Sequence, residues 1–544
     1  MPTPAALRRV LTAVSLIALL AAWPSPARAD HYPRQPGVDA QHYVFRVTLS
    51  GDTDEIEGEA TVSLRFVSGG VGEFWLDLAS PRDAKGMTVT QVSSGGAPLG
   101  YIHRDNRLQV QLPAPPKPGE LRDFTVRYRG VPAGGLQALK NKFGERCFVS
   151  ANWPTFARQW LPMIDHPYDK ATSEFLITAP SRYQAVANGR VEEIIDLGDG
   201  RRLTHWKQSV PIASWLNNIE VAQFALRNFA VDLGTPLQTW VFHQDREAGI
   251  GTFEVPTRQA LEFYSDAVGP YPYEKLADVE AAGMGGGMEH ASEIFFGERA
   301  VNGRPASSLV WHEVSHQWFG DSVTEQEWDD AWLSEGFATY FALLAAEHFD
   351  GRDAFVAGLK RARTAVFNAD KRAPVAVVHD NLPEIENGRA PVTIVYQKGA
   401  WTLHMLRAQL GAESFWATMR EYYRRYRDAN ASTEDFERVA EETAHADLGW
   451  FFRQWLYRAG EPAIDAAWHW DAAAKKVALD LKQTQPGEVY RLAIEIAIAG
   501  AARLERVEMT HREEHFEFAS DKEPPAVDLD PNTWLLAEIH VSKM

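Results

Sequence analysis

Cysteine is almost missing from this chain: one residue, Cys147, in 544. A lone thiol excludes an intramolecular disulfide, so stability must come from a packed core, which a chain this long can build over several domains. Basic residues are also short, with 55 Lys and Arg against 73 Asp and Glu and a formal charge of −18. That balance excludes nucleic acid and anionic membrane as natural partners and favours cationic ones. Long apolar runs are lacking too. The one such run, Val10 to Trp23, is too short for a stable membrane span. No internal repeat or low-complexity tract occurs.

That run follows Arg8 and Arg9 and leads into Ala27-Arg28-Ala29. This is the order of a signal peptide, so residues 1–29 are expected to be removed after Ala29 and the mature chain exported, periplasmic or secreted, without a stable membrane span; an uncleaved membrane anchor is the competing reading. The leader holds three arginines and no acid, so its loss takes the charge to −21. From 30 to 230 the pattern has period two, as in Tyr43, Phe45, Val47 and Leu49, and predicts an antiparallel β domain. Within it, the Trp- and Pro-rich stretch from Asn152 fits a loop facing a cleft and a packed corner equally well. From 231 to 461 helical periodicity takes over, with a helix expected to open at Val255-Pro256. From 462 to 544 period two returns, through Val477, Leu479 and Leu481 and then Leu492, Ile494, Ile496 and Ile498, predicting a small β-sandwich. The fold class is therefore multidomain α+β.

The chemistry concentrates in WHEVSHQWFGDSVTEQEWDDAWLSEGFATY, Trp311 to Tyr340. His312 and His316 lie four apart, one helical turn on one face, where both imidazoles reach a single ion. Glu313 points about a quarter-turn away, badly aimed for a ligand and well aimed for general-base work on water. Eighteen residues separate His316 from Glu335, which sits in a second apolar helix and completes a His₂Glu set. Three protein ligands leave a fourth tetrahedral position open, the pattern of a catalytic zinc site. Upstream, an apolar strand runs into Gly285 to Gly287, a candidate shelf where a substrate backbone can approach. Asp330 is expected to be a solvated acid at a helix start.

These residues, with DHPYDKATSEFLITAP, VANGR, EWDDAWLSEGFATY and LYRAGEPAI, resemble the aminopeptidase N family of zinc metallopeptidases, the gluzincins that include leukotriene hydrolase. The resemblance spans essentially the whole mature chain. It implies an N-terminal β domain, a thermolysin-like catalytic domain and a β-sandwich, without the large C-terminal helical domain of many relatives. It implies one Zn²⁺ on His312, His316 and Glu335, with Glu313 as general base and peptides with free N-termini as substrates. The family's G-x-M-E-N signature is matched by Gly286, Gly287, Met288 and Glu289, with His290 in place of Asn. In relatives that glutamate grips the substrate α-amine and the glycine backbone holds the peptide. His290 is expected to donate a hydrogen bond there and to add a titratable group. Tyr396, in VYQKGA, matches the tyrosine that stabilises the oxyanion. The expected activity is that of a zinc aminopeptidase. An endopeptidase or epoxide hydrolase on the same zinc core, or a non-catalytic scaffold, are the competing readings.

Overall fold

The computed structural model describes residues 31–386, 392–499 and 504–544, so the leader expectation lies outside the described residues. Among the described residues, no helix is long and apolar enough to cross a membrane.

The first unit is built on an eight-stranded sheet whose centre is Val38–Leu49, flanked by Ile56–Phe66 and Ala171–Pro180. Alternation along Val38–Leu49 sends Tyr43, Phe45, Val47 and Leu49 into the core, each at most 3% exposed. The expectation of a purely antiparallel unit needs one correction. Val38–Leu49 runs parallel to Ala171–Pro180, with His42 opposite Thr172. The crossover between these strands carries Ile56–Phe66 and the strands on its far side, a three-stranded sheet and two strands of a four-stranded one, an order that period-two reading cannot supply. The Trp- and Pro-rich stretch is a packed corner. Trp160, Leu161, Met163 and Ile164 are buried, and Trp160 Nε1 donates to Asn152 Oδ1 at 2.9 Å. It reaches the next unit at both ends, where Thr155 Oγ1 donates to Glu386 at 2.7 Å and the Pro167 carbonyl accepts from Asn430 Nδ2 at 2.8 Å.

The second unit has its own five-stranded sheet, in the order Phe224–Asp232, Thr235–Phe242, Leu276–Ala281, Glu293–Gly297 and Gly287–Met288. The boundary expected at 230/231 therefore falls inside a strand, because the hairpin that opens this sheet carries the same period two as the unit before it. Around the sheet lie α1 (Arg246–Ala267), α2 (Ser307–His316), α3 (Trp332–Phe349), α4 (Arg352–Asp370), α5 (Leu382–Glu386), α6 (Gly399–Leu410), α7 (Ala412–Tyr426), α8 (Thr433–Ala444) and α9 (Gly449–Leu456). Pro256 does not open α1 but lies inside it. Lacking an N–H, it leaves the Thr252 carbonyl free, and the Ala306 amide takes that carbonyl at 3.1 Å, just before α2 begins. The Thr252 hydroxyl accepts from the amides of Asn302 and Gly303 at 3.2 and 3.1 Å. The apparent helix start is thus the anchor that fixes where α2 enters.

The two units are joined by Lys170, whose ammonium donates to the Asp321 carbonyl (2.9 Å), the Ser322 carbonyl (2.7 Å) and Thr324 Oγ1 (2.9 Å). After α9 the chain forms a sandwich, with Ala463–Asp471 central in a four-stranded sheet and Leu492–Ile498 central in a three-stranded one. Val477, Leu479, Leu481, Leu492, Ile494 and Ile496 pack between them, none more than 1% exposed.

Candidate metal centre and active site

Helix α2 ends at His316 and presents His312 and His316 one turn apart. Their Nε2 atoms stand 3.2 Å from one another, and Glu335 Oε2 from α3 stands 3.5 and 3.3 Å from them. The tautomer of His316 is set by its surroundings. Its Nδ1 lies 3.2 Å from the Phe319 carbonyl, which can only accept, so Nδ1 carries a proton and Nε2 is the nitrogen left to face an ion. Ser334 Oγ lies 3.0 Å from the same Nδ1. Gly320 is glycine for this reason: at φ 119°, its Cβ would sit 2.3 Å from Ser334 Oγ and 3.0 Å from His316 Nδ1.

The donor set fits Zn²⁺. Two imidazole nitrogens and a carboxylate oxygen converge within 4.8 Å of one another. Glu335 Oε2 is buried with no hydrogen-bond partner, whereas Oε1 accepts from the Tyr396 hydroxyl at 2.5 Å. The charge balance agrees. Burial alone would push Glu335 up and His316 down, but their mutual attraction reverses both. Glu335 is drawn down to about 2, and His316 is driven well above an ordinary imidazole by Glu289, Glu335 and Glu313. Three carboxylates facing two imidazoles favour positive charge at their centre. Glu313, beside them, is pushed well up by burial and then by Glu289 and Glu335.

Across the cleft, Gly287–Met288 is the edge strand of the catalytic sheet, antiparallel to Glu293–Gly297. A Cβ on Gly287 would lie 2.3 Å from Glu313 Oε1, so only glycine lets the shelf close onto that carboxylate. Gly285 and Gly286 have nothing within 4 Å of the corresponding position. Glu289 is 3% exposed, its Oε1 has no hydrogen bond, and that oxygen lies 3.8 Å from His316 Nδ1. His290 departs from expectation. Its ring is wholly buried, edge-on to Phe295 at 4.5 Å, with neither nitrogen bonded. Burial pushes it down to about 3, so it is a neutral core residue that neither reaches a substrate nor adds a titration near neutrality.

Gln317, which the sequence reading passed over, ties this shelf to the metal helix. Its Nε2 donates to the Glu289 carbonyl at 2.9 Å and to Asp321 Oδ2 at 2.8 Å. Its Oε1 accepts from the Ser292 amide at 2.8 Å and the Tyr271 hydroxyl at 3.1 Å. The only signal was its place directly after His316. Ser292 itself holds φ 67°, a left-handed conformation kept by that bond and by Gly189 N donating to its hydroxyl at 2.7 Å.

Tyr396 stands on a π-helical turn, Ile394–Lys398, that precedes α6, and its ring lies parallel to His312 with centroids 6.2 Å apart. The turn reaches Glu335 because α3 and α6 touch through glycines. A Cβ on Gly336 would lie 2.9 Å from Gly399 Cα, and one on Gly399 3.0 Å from Gly336 Cα. Both lie in short motifs, SEGF and QKGA, whose separation in sequence does not reveal the contact. Asp330 is the other correction. It is 6% exposed rather than solvated and accepts from Thr433 Oγ1 at 2.6 Å, pinning the start of α3 to α8. Burial pushes its carboxyl up to about 7.

Comparison with known proteins places this geometry. A model of the peptidase M1 N-terminal domain matches residues 39–216, and one of the peptidase family M1 domain matches residues 254–455. Glutamyl aminopeptidase of Rattus norvegicus is 24% identical over 469 residues, covering 81% of this chain and 49% of that protein. Aminopeptidase M1-A of Oryza sativa subsp. japonica is 28% identical over 348 residues, 61% of this chain and 38% of that one. The chain spans about half the length of the glutamyl aminopeptidases it matches. Among solved structures, an M1 zinc metallopeptidase from Deinococcus radiodurans has a TM-score of 0.67 at 25% identity, covering 78% of this chain and 95% of that one. A two-domain M1 zinc metallopeptidase variant bound to L-arginine has a TM-score of 0.68 at 26% identity, with the same coverage.

Proposed function

Because this chain belongs to peptidase family M1, we propose that it is a zinc-dependent aminopeptidase that removes the N-terminal residue from peptides. His312, His316 and Glu335 would hold one Zn²⁺, which when bound supplies Lewis-acid charge, polarising a carbonyl oxygen and making water more acidic. The remaining work falls to side chains of this chain. Glu313, pressed against Gly287, takes the proton from the attacking water and returns it to the departing amine nitrogen. Tyr396 turns its O–H from Glu335 Oε1 to the carbonyl oxygen as that atom gains charge. The edge strand Gly287–Met288 and the open backbone at Gly286 align the peptide as an added strand.

The observation that carries the exopeptidase reading is Glu289. It is a buried carboxylate with an unpartnered oxygen, held beside the metal ligands at a distance fixed through Gln317. Burial and the Glu335 carboxylate raise its pKa, so it gains most from an arriving ammonium. An anion at a set distance from the ligands lets the protein measure one residue from a free N-terminus. Glu289→Ala is expected to cut kcat/KM on aminoacyl anilides on the order of 100- to 1,000-fold, with bound zinc unchanged by atomic absorption. Full activity in that variant would sink the exopeptidase reading, and rapid cleavage of N-acetylated peptides by the unaltered protein would turn it into an endopeptidase.

A further inference from the structure

On the side of the catalytic unit where the sandwich docks, a cavity of about 560 Å³ opens between the end of α6, α9 and the strand Leu492–Ile498. It lies within the size range of small-molecule sites. We propose that this cleft is a second binding site, for a small carboxylate that carries an aromatic or bulky apolar arm. Nothing in this assignment depends on the peptidase reading.

Charge supplies the first argument. In a chain of net charge −18, the cleft gathers four guanidiniums, Arg352, Arg407, Arg491 and Arg506, against two carboxylates, Glu347 and Glu495. Arg491 is already engaged, its Nε donating to Glu508 Oε1 beyond the cleft lining, so the four guanidiniums exceed their three carboxylate neighbours by one, and the two carboxylates of the lining are themselves divided. Glu347 is shared, with Arg352 Nη1 on one oxygen and Arg407 Nη1 on the other, both at 2.7 Å. Glu495 lies opposite Arg506 across the strand pair but accepts instead from Asn532 Nδ2 at 2.8 Å. Arg506 has no side-chain hydrogen bond or ion pair among the described residues, so its full fork of donors is free. The surplus is felt nearby. His404 of α6 is pushed down to about 3, chiefly by burial, and Arg407 and Arg352 act in the same direction.

The walls supply the second argument. Trp450, Trp455 and Trp534 line the cleft with Phe451 and Leu535. Two of the indoles are held in place: Trp534 is stacked on His404 at 4.7 Å, and Trp450 lies under the Arg491 guanidinium at 4.3 Å. A further cavity of about 320 Å³ continues past Trp450 and Arg491 toward Ser414 and Asp447. Guanidinium forks pair with planar carboxylates in bidentate fashion, and indole faces take up rings and branched chains. A ligand that satisfies both has one anionic end and one apolar end. This is the inverse of the catalytic centre, where Glu289 offers an anion to an ammonium, so the two sites select opposite ends of an amino acid or short peptide.

The test is calorimetric titration of the full-length chain with N-acetyl-L-tryptophan, whose blocked amine gives Glu289 nothing to grip. One saturable site is expected, with Kd on the order of 0.1–1 mM. N-acetyl-L-tryptophanamide, which lacks only the charge, should bind at least tenfold more weakly, and inorganic phosphate, which lacks the apolar arm, should not saturate below about 10 mM. Arg506→Ala and Arg491→Ala, both at exposed positions away from the metal helices, should each weaken binding about fivefold or more with Tm unchanged. Binding of the amide or of phosphate as tightly as the acid, binding unaffected by both arginine changes, or no saturation below about 10 mM would each overturn the proposal. Persistence in both arginine variants would place the ligand at the metal centre instead.

Discussion

In the wall that carries the metal ligands, Gly336 and Gly399 let protein meet protein, each leaving room for the other's backbone. On the shelf opposite, Gly285 and Gly286 face open space, with no atom within 4 Å of where a side chain would begin. Gly287 stands between the two cases, its nearest neighbours all atoms of the Glu313 side chain. The wall is thus solid against itself and the shelf is bare toward something outside the chain. Equal numbers of missing side chains therefore mark opposite demands: close approach of two helices, which costs stability when disturbed, and access for a substrate backbone, which costs binding.

That contrast breaks most visibly at the wall. Tyr396→Phe removes one O–H and no contact of the ring with His312, so kcat should fall about 100- to 1,000-fold with KM and Tm little changed; a loss under tenfold in steady-state assays would remove Tyr396 from the oxyanion role. Next comes Asp330→Asn, which keeps the acceptor for Thr433. With its folded pKa near 7 against an ordinary 3.8, Asp330 retains a proton that the unfolded chain loses between those values. Its contribution to stability is therefore present at low pH and is lost as pH rises from about 4 to about 7. The asparagine variant should lack that decline, and urea unfolding at about pH 5 and pH 8 should show a difference between the proteins on the order of 2 kcal/mol. Identical pH slopes would show Asp330 to be ionised in the fold.

Smaller effects sharpen the comparison. For Gly336→Ala, better helix propensity favours the variant by about 1 kcal/mol, but overpacking two backbones costs about 1–3 kcal/mol, and neither helix can give way. A net loss of stability in thermal melts, together with lowered kcat as Tyr396 moves off Glu335, is expected. A gain in Tm would mean that the helices are free to part. Gly286→Ala should leave stability within about 0.5 kcal/mol while KM rises a few-fold, because its methyl group occupies the path of the incoming backbone. If Gly286→Ala destabilised as much as Gly336→Ala, shelf and wall would not differ.

Much of the site was legible because its spacing is short-range. His312, Glu313 and His316 sit within two helical turns, and Glu335 arrives on the next long helix. What the sequence hid depends on elements that meet only in three dimensions. Gln317 gains its meaning from Glu289 and Ser292, some 28 and 25 residues away. Gly399 matters because of Gly336. His290 could be matched to a motif, yet its direction, into the core against Phe295 and away from the cleft, depends on the sheet that carries it. Pro256 read as a helix start because that is where proline is tolerated without help; in the fold, the Ala306 amide supplies the help. The sandwich was the easier reading, since its alternating residues pair along neighbouring strands.

Lys170 also sets a timetable for chain assembly. Three of its partners lie 151 to 154 residues downstream, and the Ala429 carbonyl, at 3.4 Å, lies 259 residues downstream. At synthesis rates of about 5–20 residues per second, roughly 13 to 50 s separate the appearance of the lysine from that of its last acceptor. The first sheet can close long before then. Its ammonium, drawn down to about 8 by burial in the finished protein, must wait in water until the second unit arrives, and only then is it dehydrated. The joint between the two halves therefore forms later than the first sheet it springs from, and a chain halted before residue 429 leaves it incomplete.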